Sequence, residues 1–201
     1  MKNNLLVCGG LPRSATTFLH AEISNYQNVF SSSIKESYLF EQNDFLIDLK
    51  LKTLQNKKIC LDFTPEYIFN KTALNKISSR KINCFFILRE YHEYRRSLEA
   101  YLSINKIENN YLLQMTEADF MSATQFVTDH FLYFKFEDIK ENPAAVLLKI
   151  QKQFKLDFGE KMSHKINMNA SSQREHFALS VLHNYCRSPM KLATSALLGV
   201  V

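Results

Sequence analysis

The chain has no tryptophan, only 4 glycines and 4 prolines in 201 residues, and no apolar run approaching the length of a membrane span. So few glycines exclude a collagen-like repeat, and the scarcity of both breakers argues against low-complexity linkers. The 4 cysteines, Cys8, Cys60, Cys84 and Cys186, form no CxxC pair and mostly sit in apolar runs. They read as reduced, buried small hydrophobes rather than as disulfides or metal ligands. The apolar run at residues 5–8 stops at Gly9-Gly10, too short for a signal-peptide core, so a cytoplasmic location without an integral membrane segment is expected.

What is present is 46% apolar residues and a net charge of +5, with 25 Lys+Arg against 20 Asp+Glu. That size and apolar content suit a single domain over residues 1–201, able to bury roughly 70% of its unfolded surface. The modest positive excess accommodates an anionic ligand but is not the footprint of a nucleic-acid binder. Tyr91, Tyr94 and Tyr101 with Phe85 and Phe86 are expected to serve core packing and contact with a small ligand rather than a nucleic-acid stacking surface.

Residues 5–8, 59–63, 82–88 and 131–136 are nearly continuous apolar or aromatic runs, as expected of buried parallel strands. Helical patterns occupy residues 16–25, 40–54, 71–79, 91–104, 117–128 and 143–154, with Asn142 as N-cap and Pro143 at the first helical position of the last. Residues 173–186 with 190–198 are expected to form one or two closing helices. The alternation predicts an α/β fold, a three-layer sandwich with a central parallel sheet.

The most informative stretch is Leu5-Leu-Val-Cys-Gly-Gly-Leu-Pro-Arg13-Ser14-Ala15-Thr16-Thr17-Phe18, a P-loop-like strand, turn and helix start. Unpaired N–H groups at a helix N-terminus attract phosphate, Arg13 adds a full charge, and Ser14, Thr16 and Thr17 add hydroxyl donors. The Walker A spacing and its lysine are absent, which weakens a P-loop kinase reading. A second pattern, Leu88-Arg89 followed by Ser97 on the next helix, can converge an arginine and a hydroxyl on one anion.

These two segments resemble the P-[KR]-S-G-T-T-x-L loop and the L-R-[DN]-P…S signature of sulfotransferases that use 3′-phosphoadenosine-5′-phosphosulfate (PAPS). Three further stretches match in order. Lys35-Glu36-Ser37-Tyr38-Leu39-Phe40 resembles the K-E-x-x-[FY]-F segment of the glycan-modifying branch, Asp62-Phe63-Thr64-Pro65-Glu66-Tyr67 resembles E-K-T-P-x-Y, and residues 136–143 resemble Y-E-D-L-x-x-x-P.

The resemblance implies PAPS as donor, no metal, and a carbohydrate or small metabolite as hydroxyl acceptor. It implies that residues 13–18 (Arg13, Ser14, Ala15, Thr16, Thr17, Phe18) bind the 5′-phosphosulfate end, and Arg89 and Ser97 the 3′-phosphate. It further implies Glu36 as catalytic base, with Lys35 orienting it or touching the transferring group, Arg13 stabilising the leaving phosphate oxygen, and adenosine contact among the roles of Tyr91, Tyr94 and Tyr101. His20 and His92 are the lesser candidates for the base. A non-catalytic nucleotide- or anion-binding relative is the alternative.

The chain departs from the family pattern at several positions. Ala15 replaces glycine, Phe63 replaces lysine, Glu90-Tyr91 replaces Asp-Pro, and Tyr94 stands where an arginine is expected, with Arg95 and Arg96 as displaced substitutes. Residues 165–174 are the only candidate for the loop over the adenine.

Overall fold

The computed structural model describes residues 4–30, 35–54, 58–106 and 111–162. The expected closing helices, the candidate adenine loop and Cys186 lie outside the described residues.

Five parallel strands form one sheet in the order β2-β3-β1-β4-β5: β1 (Leu5–Gly10), β2 (Val29–Phe30), β3 (Ile59–Phe63), β4 (Asn83–Leu88) and β5 (Leu132–Lys135). Seven α-helices are described: α1 (Thr16–Ser24), α2 (Asp44–Leu54), α3 (Lys71–Ser79), α4 (Tyr91–Ile104), α5 (Glu117–His130), α6 (Phe136–Glu141) and α7 (Pro143–Phe154). None of these helices is long and apolar enough to cross a membrane.

Because side chains alternate across a strand, the apolar runs feed two separate cores. Leu5, Val7, Cys60, Cys84, Phe86 and Leu88 face one layer, packed by Ile47 of α2, Leu74 and Ile77 of α3, Leu98 of α4 and Phe120 of α5. Leu6, Cys8, Leu61, Phe63, Phe85, Ile87 and Phe134 face the other, packed by Leu19 and Ile23 of α1, Ile139 of α6 and Val146, Leu147 and Ile150 of α7. The expected three-layer α/β sandwich is therefore present.

The connection from β1 to β2 crosses the sheet in one direction, and every later connection crosses in the other. Right-handed crossovers then require α1 on one face and α2 to α5 on the opposite face, as found. The connection leaving β1 thus goes to one face while those leaving its neighbours β3 and β4 go to the other, and the loop at its carboxyl end opens into the gap between the two helical layers. That is where open α/β sheets hold ligands.

Several boundaries differ from the sequence reading. β2 is only two residues long, too short to leave a periodic signal. Residues 39–41 form a 3-10 turn, so α2 starts at Asp44 rather than at residue 40. Phe136, read as the end of a strand, begins α6, where Asp138 accepts from the backbone N–H of Lys135 at 3.0 Å. At the next helix Asn142 caps as expected, accepting from the Ala145 N–H at 3.0 Å. Cys8, Cys60 and Cys84 are buried free thiols, and burial pushes Cys8 and Cys84 well above the usual thiol range, which leaves them unreactive.

Candidate functional site

A cleft of about 520 Å³ lies at the carboxyl edge of the sheet. It is built by the loop after β1, the turn after β3, the residue after β4, the first residue of α6, and one face of α4. Of the residues singled out in the sequence, Arg13, Ala15, Thr16, Thr17, Lys35, Glu36, Arg89 and Ser97 line it together. Ser14 and Phe18 do not. Ser14 is fully buried with its Oγ unpartnered, and Phe18 is half exposed.

The loop after β1 owes its shape to unusual backbone geometry. Gly10 adopts φ +141, and a Cβ there would sit 2.4 Å from the Ile87 carbonyl oxygen, so only glycine permits this approach to β4. Arg13 (φ 69) and Ala15 (φ 63) are both left-handed, although neither is glycine. The position where the family carries glycine thus does demand positive φ. Ala15 is also the N-cap of α1 and has no side chain to cap with, so the first N–H groups of that helix face the cleft without a side-chain acceptor.

Two cations flank this helix end, and each is held by an aromatic face. The Arg13 guanidinium lies 4.6 Å from the Tyr101 ring centroid, and that of Arg89 lies 4.3 Å from Phe136. Arg89 also donates through Nη1 to the Arg13 carbonyl at 3.3 Å and through Nη2 to Glu93 at 3.2 Å, while its buried Nε has no partner. β4 pairs directly with β1, which is why the two arginines meet.

Lys35 links the helix start to the acidic side of the cleft. Its Nζ donates to Thr16 Oγ1 at 3.3 Å, Thr17 Oγ1 at 3.1 Å and Glu36 Oε1 at 2.8 Å. Because an ammonium only donates, both threonine hydroxyls keep their protons for an anion at the helix end. The other oxygen of Glu36 accepts from Tyr38 Oη at 3.3 Å, and the same hydroxyl lies 3.1 Å from Glu66 Oε2.

Other sequence candidates sit elsewhere. Tyr94 is buried and stacks on Phe120, Arg95 donates to the Leu113 carbonyl at 2.8 Å and pairs with Glu99 at 3.3 Å, and Arg96 is exposed; none of the three lines the cleft. His20 packs edge-on against Phe63 outside the cleft, and burial with the nearby Lys35 charge lowers its pKa to about 4. Phe63 itself is fully buried and faces α1. Glu90 caps α4 by accepting from the Glu93 N–H at 3.0 Å.

Glu66 and Phe136 line the cleft without having been named as site residues, and Tyr101, expected in core packing, is instead exposed and lines the cleft. A usable signal existed for each. Tyr101 lies four residues after Ser97 on α4, hence on the same face, while Glu66 and Phe136 follow the carboxyl ends of β3 and β5.

No family model matches this chain, and no curated protein matches it in sequence. Its structure does have counterparts. A sulfotransferase from Alicyclobacillus acidocaldarius superposes with a TM-score of 0.60 at 13% identity, over 91% of this chain and 93% of that one. The sulfotransferase domain from the curacin biosynthetic pathway gives 0.54 at 14% identity, over 83% and 81%. Mouse sulfotransferase SULT7A1, solved in complex with PAP, gives 0.53 at 14% identity, over 89% of this chain and 64% of that one. The fold of this chain is the sulfotransferase fold.

Proposed function

We propose that this protein is a PAPS-dependent sulfotransferase acting on a hydroxyl of a carbohydrate or small metabolite. The observation that carries the reading is that one cleft holds Arg13 beside the uncapped N-terminus of α1, Arg89 with Ser97, and Lys35 with Glu36. The buried, unpartnered Nε of Arg89 is a donor that a phosphate oxygen would satisfy, so the residues present fit a nucleotide with two anionic ends.

The donor supplies an activated sulfuryl group on a phosphate leaving group. Arg13, the first-turn N–H groups of α1 and the hydroxyls of Thr16 and Thr17 hold that phosphate and stabilise the negative charge it gains. Arg89 and Ser97 hold the 3′-phosphate. Glu36 takes the proton of the acceptor hydroxyl as the new O–S bond forms and the bond from sulfur to the phosphate oxygen breaks. Lys35 fixes the distance between these halves, since it contacts both the helix start and Glu36.

Calorimetric titration with 3′-phosphoadenosine-5′-phosphate (PAP) is the first test, and absence of binding overturns the reading. Transfer of labelled sulfate from PAPS to a panel of glycans and phenols is the second. Glu36→Gln is expected to lower kcat by about 10²–10⁴-fold with PAP affinity retained, whereas Arg13→Ala weakens both. Binding without transfer to any acceptor would instead favour an anion-binding relative of the fold.

A further inference from the structure

The segment carrying Lys35 and Glu36 has no regular secondary structure of its own before residue 39, yet its backbone is tied at four successive points to β3 and the turn that follows. The Phe63 N–H donates to the Lys35 carbonyl at 2.9 Å. The N–H groups of Ser37, Tyr38 and Phe40 donate, in turn, to Asp62 Oδ1 at 3.3 Å, Thr64 Oγ1 at 3.3 Å and Tyr67 Oη at 3.1 Å. Three of the four ties therefore end on side chains, and all three side chains meet at Asp62.

Asp62 is 1% exposed and accepts from Thr64 Oγ1 at 2.7 Å and from Tyr67 Oη at 2.7 Å. A hydroxyl has one proton. With that proton committed to Asp62, the lone pairs of Thr64 and Tyr67 are turned toward the N–H groups of Tyr38 and Phe40. Every partner of Asp62 in this network is a donor, the arrangement of an ionised carboxylate, and none of these donors is a cation. A carboxylate so placed is costly to bury, as the upward pull of desolvation on its pKa also indicates.

Tyr38 gives an independent sign that the segment is held from outside. It sits at φ 49, a left-handed conformation that a bulky residue keeps only when its surroundings over-determine it. Its N–H is one of the tied groups, and its hydroxyl reaches Glu36 and Glu66.

We propose that Asp62 is a positioning residue for the Lys35–Glu36 pair, orienting the hydroxyls of Thr64 and Tyr67 so that the segment is fixed at the edge of the cleft. This rests on the reading of Glu36 as base. Arg13 and Arg89 reach the cleft from β1 and β4 and do not depend on the network, so base placement and donor binding separate experimentally.

The experiment compares Asp62→Ala, Asp62→Asn, Thr64→Val and Tyr67→Phe, reading kcat, PAP affinity and amide hydrogen exchange over residues 35–40. In Asp62→Ala the proposal expects exchange of the Ser37, Tyr38 and Phe40 amides at least tenfold faster, kcat at least tenfold lower, and a PAP Kd within threefold of the parent. Asp62→Asn, which keeps one acceptor oxygen, recovers part of the lost kcat. If the alanine variant does not fold, Thr64→Val and Tyr67→Phe each remove one tie and show the same selective pattern at smaller size. Unchanged exchange, unchanged kcat, or kcat and PAP affinity falling together in step with thermal stability overturns it. Fast exchange at residues 35–40 in a protein that never binds PAP would leave the tether standing and remove the catalytic role along with the functional reading.

Discussion

Truncating Arg89 to alanine tests whether the cleft reads a second phosphate. The side chain of Arg89 is only 15% exposed, lies on Phe136, and has a buried Nε without a partner. A charge-assisted hydrogen bond to phosphate contributes about 1.5–3 kcal/mol, while the stack on Phe136 is made with or without ligand and cancels in the binding difference. A loss of about 1.5–3 kcal/mol corresponds to a Kd for PAP raised roughly 10- to 150-fold. Arg89→Lys keeps the charge but loses the planar fork and the bond to the Arg13 carbonyl, so it is expected to recover less than half of that loss in free energy.

The decisive comparison is with 5′-AMP, which lacks the 3′-phosphate. Losing the bond to the Arg13 carbonyl also loosens the neighbouring loop, so some weakening of 5′-AMP is expected. The ratio of PAP to 5′-AMP affinity, measured by calorimetry, should nevertheless fall at least tenfold in Arg89→Ala and stay near the parent value in Arg13→Ala. Equal weakening of both ligands by Arg89→Ala, or a PAP Kd within threefold of the parent, refutes the assignment of Arg89 to the 3′-phosphate.

Ala15→Gly relieves a left-handed alanine, which costs about 1–2 kcal/mol, against a loss of about 0.5–1 kcal/mol in chain entropy, so Tm should rise by about 1–3 °C; a fall in Tm contradicts the strain argument. Gly10→Ala drives a methyl onto the Ile87 carbonyl, and about 2–4 kcal/mol of destabilisation should lower Tm by roughly 5–15 °C, whereas a melt within 1 °C of the parent would mean that the strands separate freely. His20, held to a pKa of about 4 against an ordinary 6.5, is disfavoured as a cation in the fold, so its contribution is intact above pH 6.5 and is lost as pH falls toward 4. After discounting for partial exposure that loss is about 1–2 kcal/mol, and His20→Gln should flatten the dependence of Tm on pH over this window; parallel curves for the two proteins would rule it out.

The sandwich was legible because strands buried on both faces read as unbroken apolar runs, and Phe85-Phe86-Ile87-Leu88 could hardly be placed elsewhere. β2 was not, since two residues carry no period, and α6 was hidden because its first residue, Phe136, also suits a strand end. The loop after β1 stood out through glycines, arginine and hydroxyls at a strand-to-helix junction, and it does line the cleft. Its left-handed Arg13 and Ala15 carried no glycine to mark them, and only the contrast with the family pattern pointed to Ala15.

What no local pattern supplies is adjacency. Arg13 and Arg89 are 76 positions apart and meet because β4 lies beside β1, and Lys35 reaches Thr16 because its segment is hydrogen-bonded to β3, the other neighbour of β1. Asp62 is the sharpest case. In sequence it is a single charge inside Ile59-Cys-Leu-Asp-Phe63, where the resemblance to E-K-T-P-x-Y places an acid but gives it no role. The fold places the segment from Lys35 to Phe40 against that strand with side chains as its hydrogen-bond acceptors, and a carboxylate in the core is then what orients the hydroxyls of Thr64 and Tyr67. A polar residue that contradicts its local pattern is thus accounted for by the segment it organises, and that segment holds the two residues on which the proposed chemistry turns.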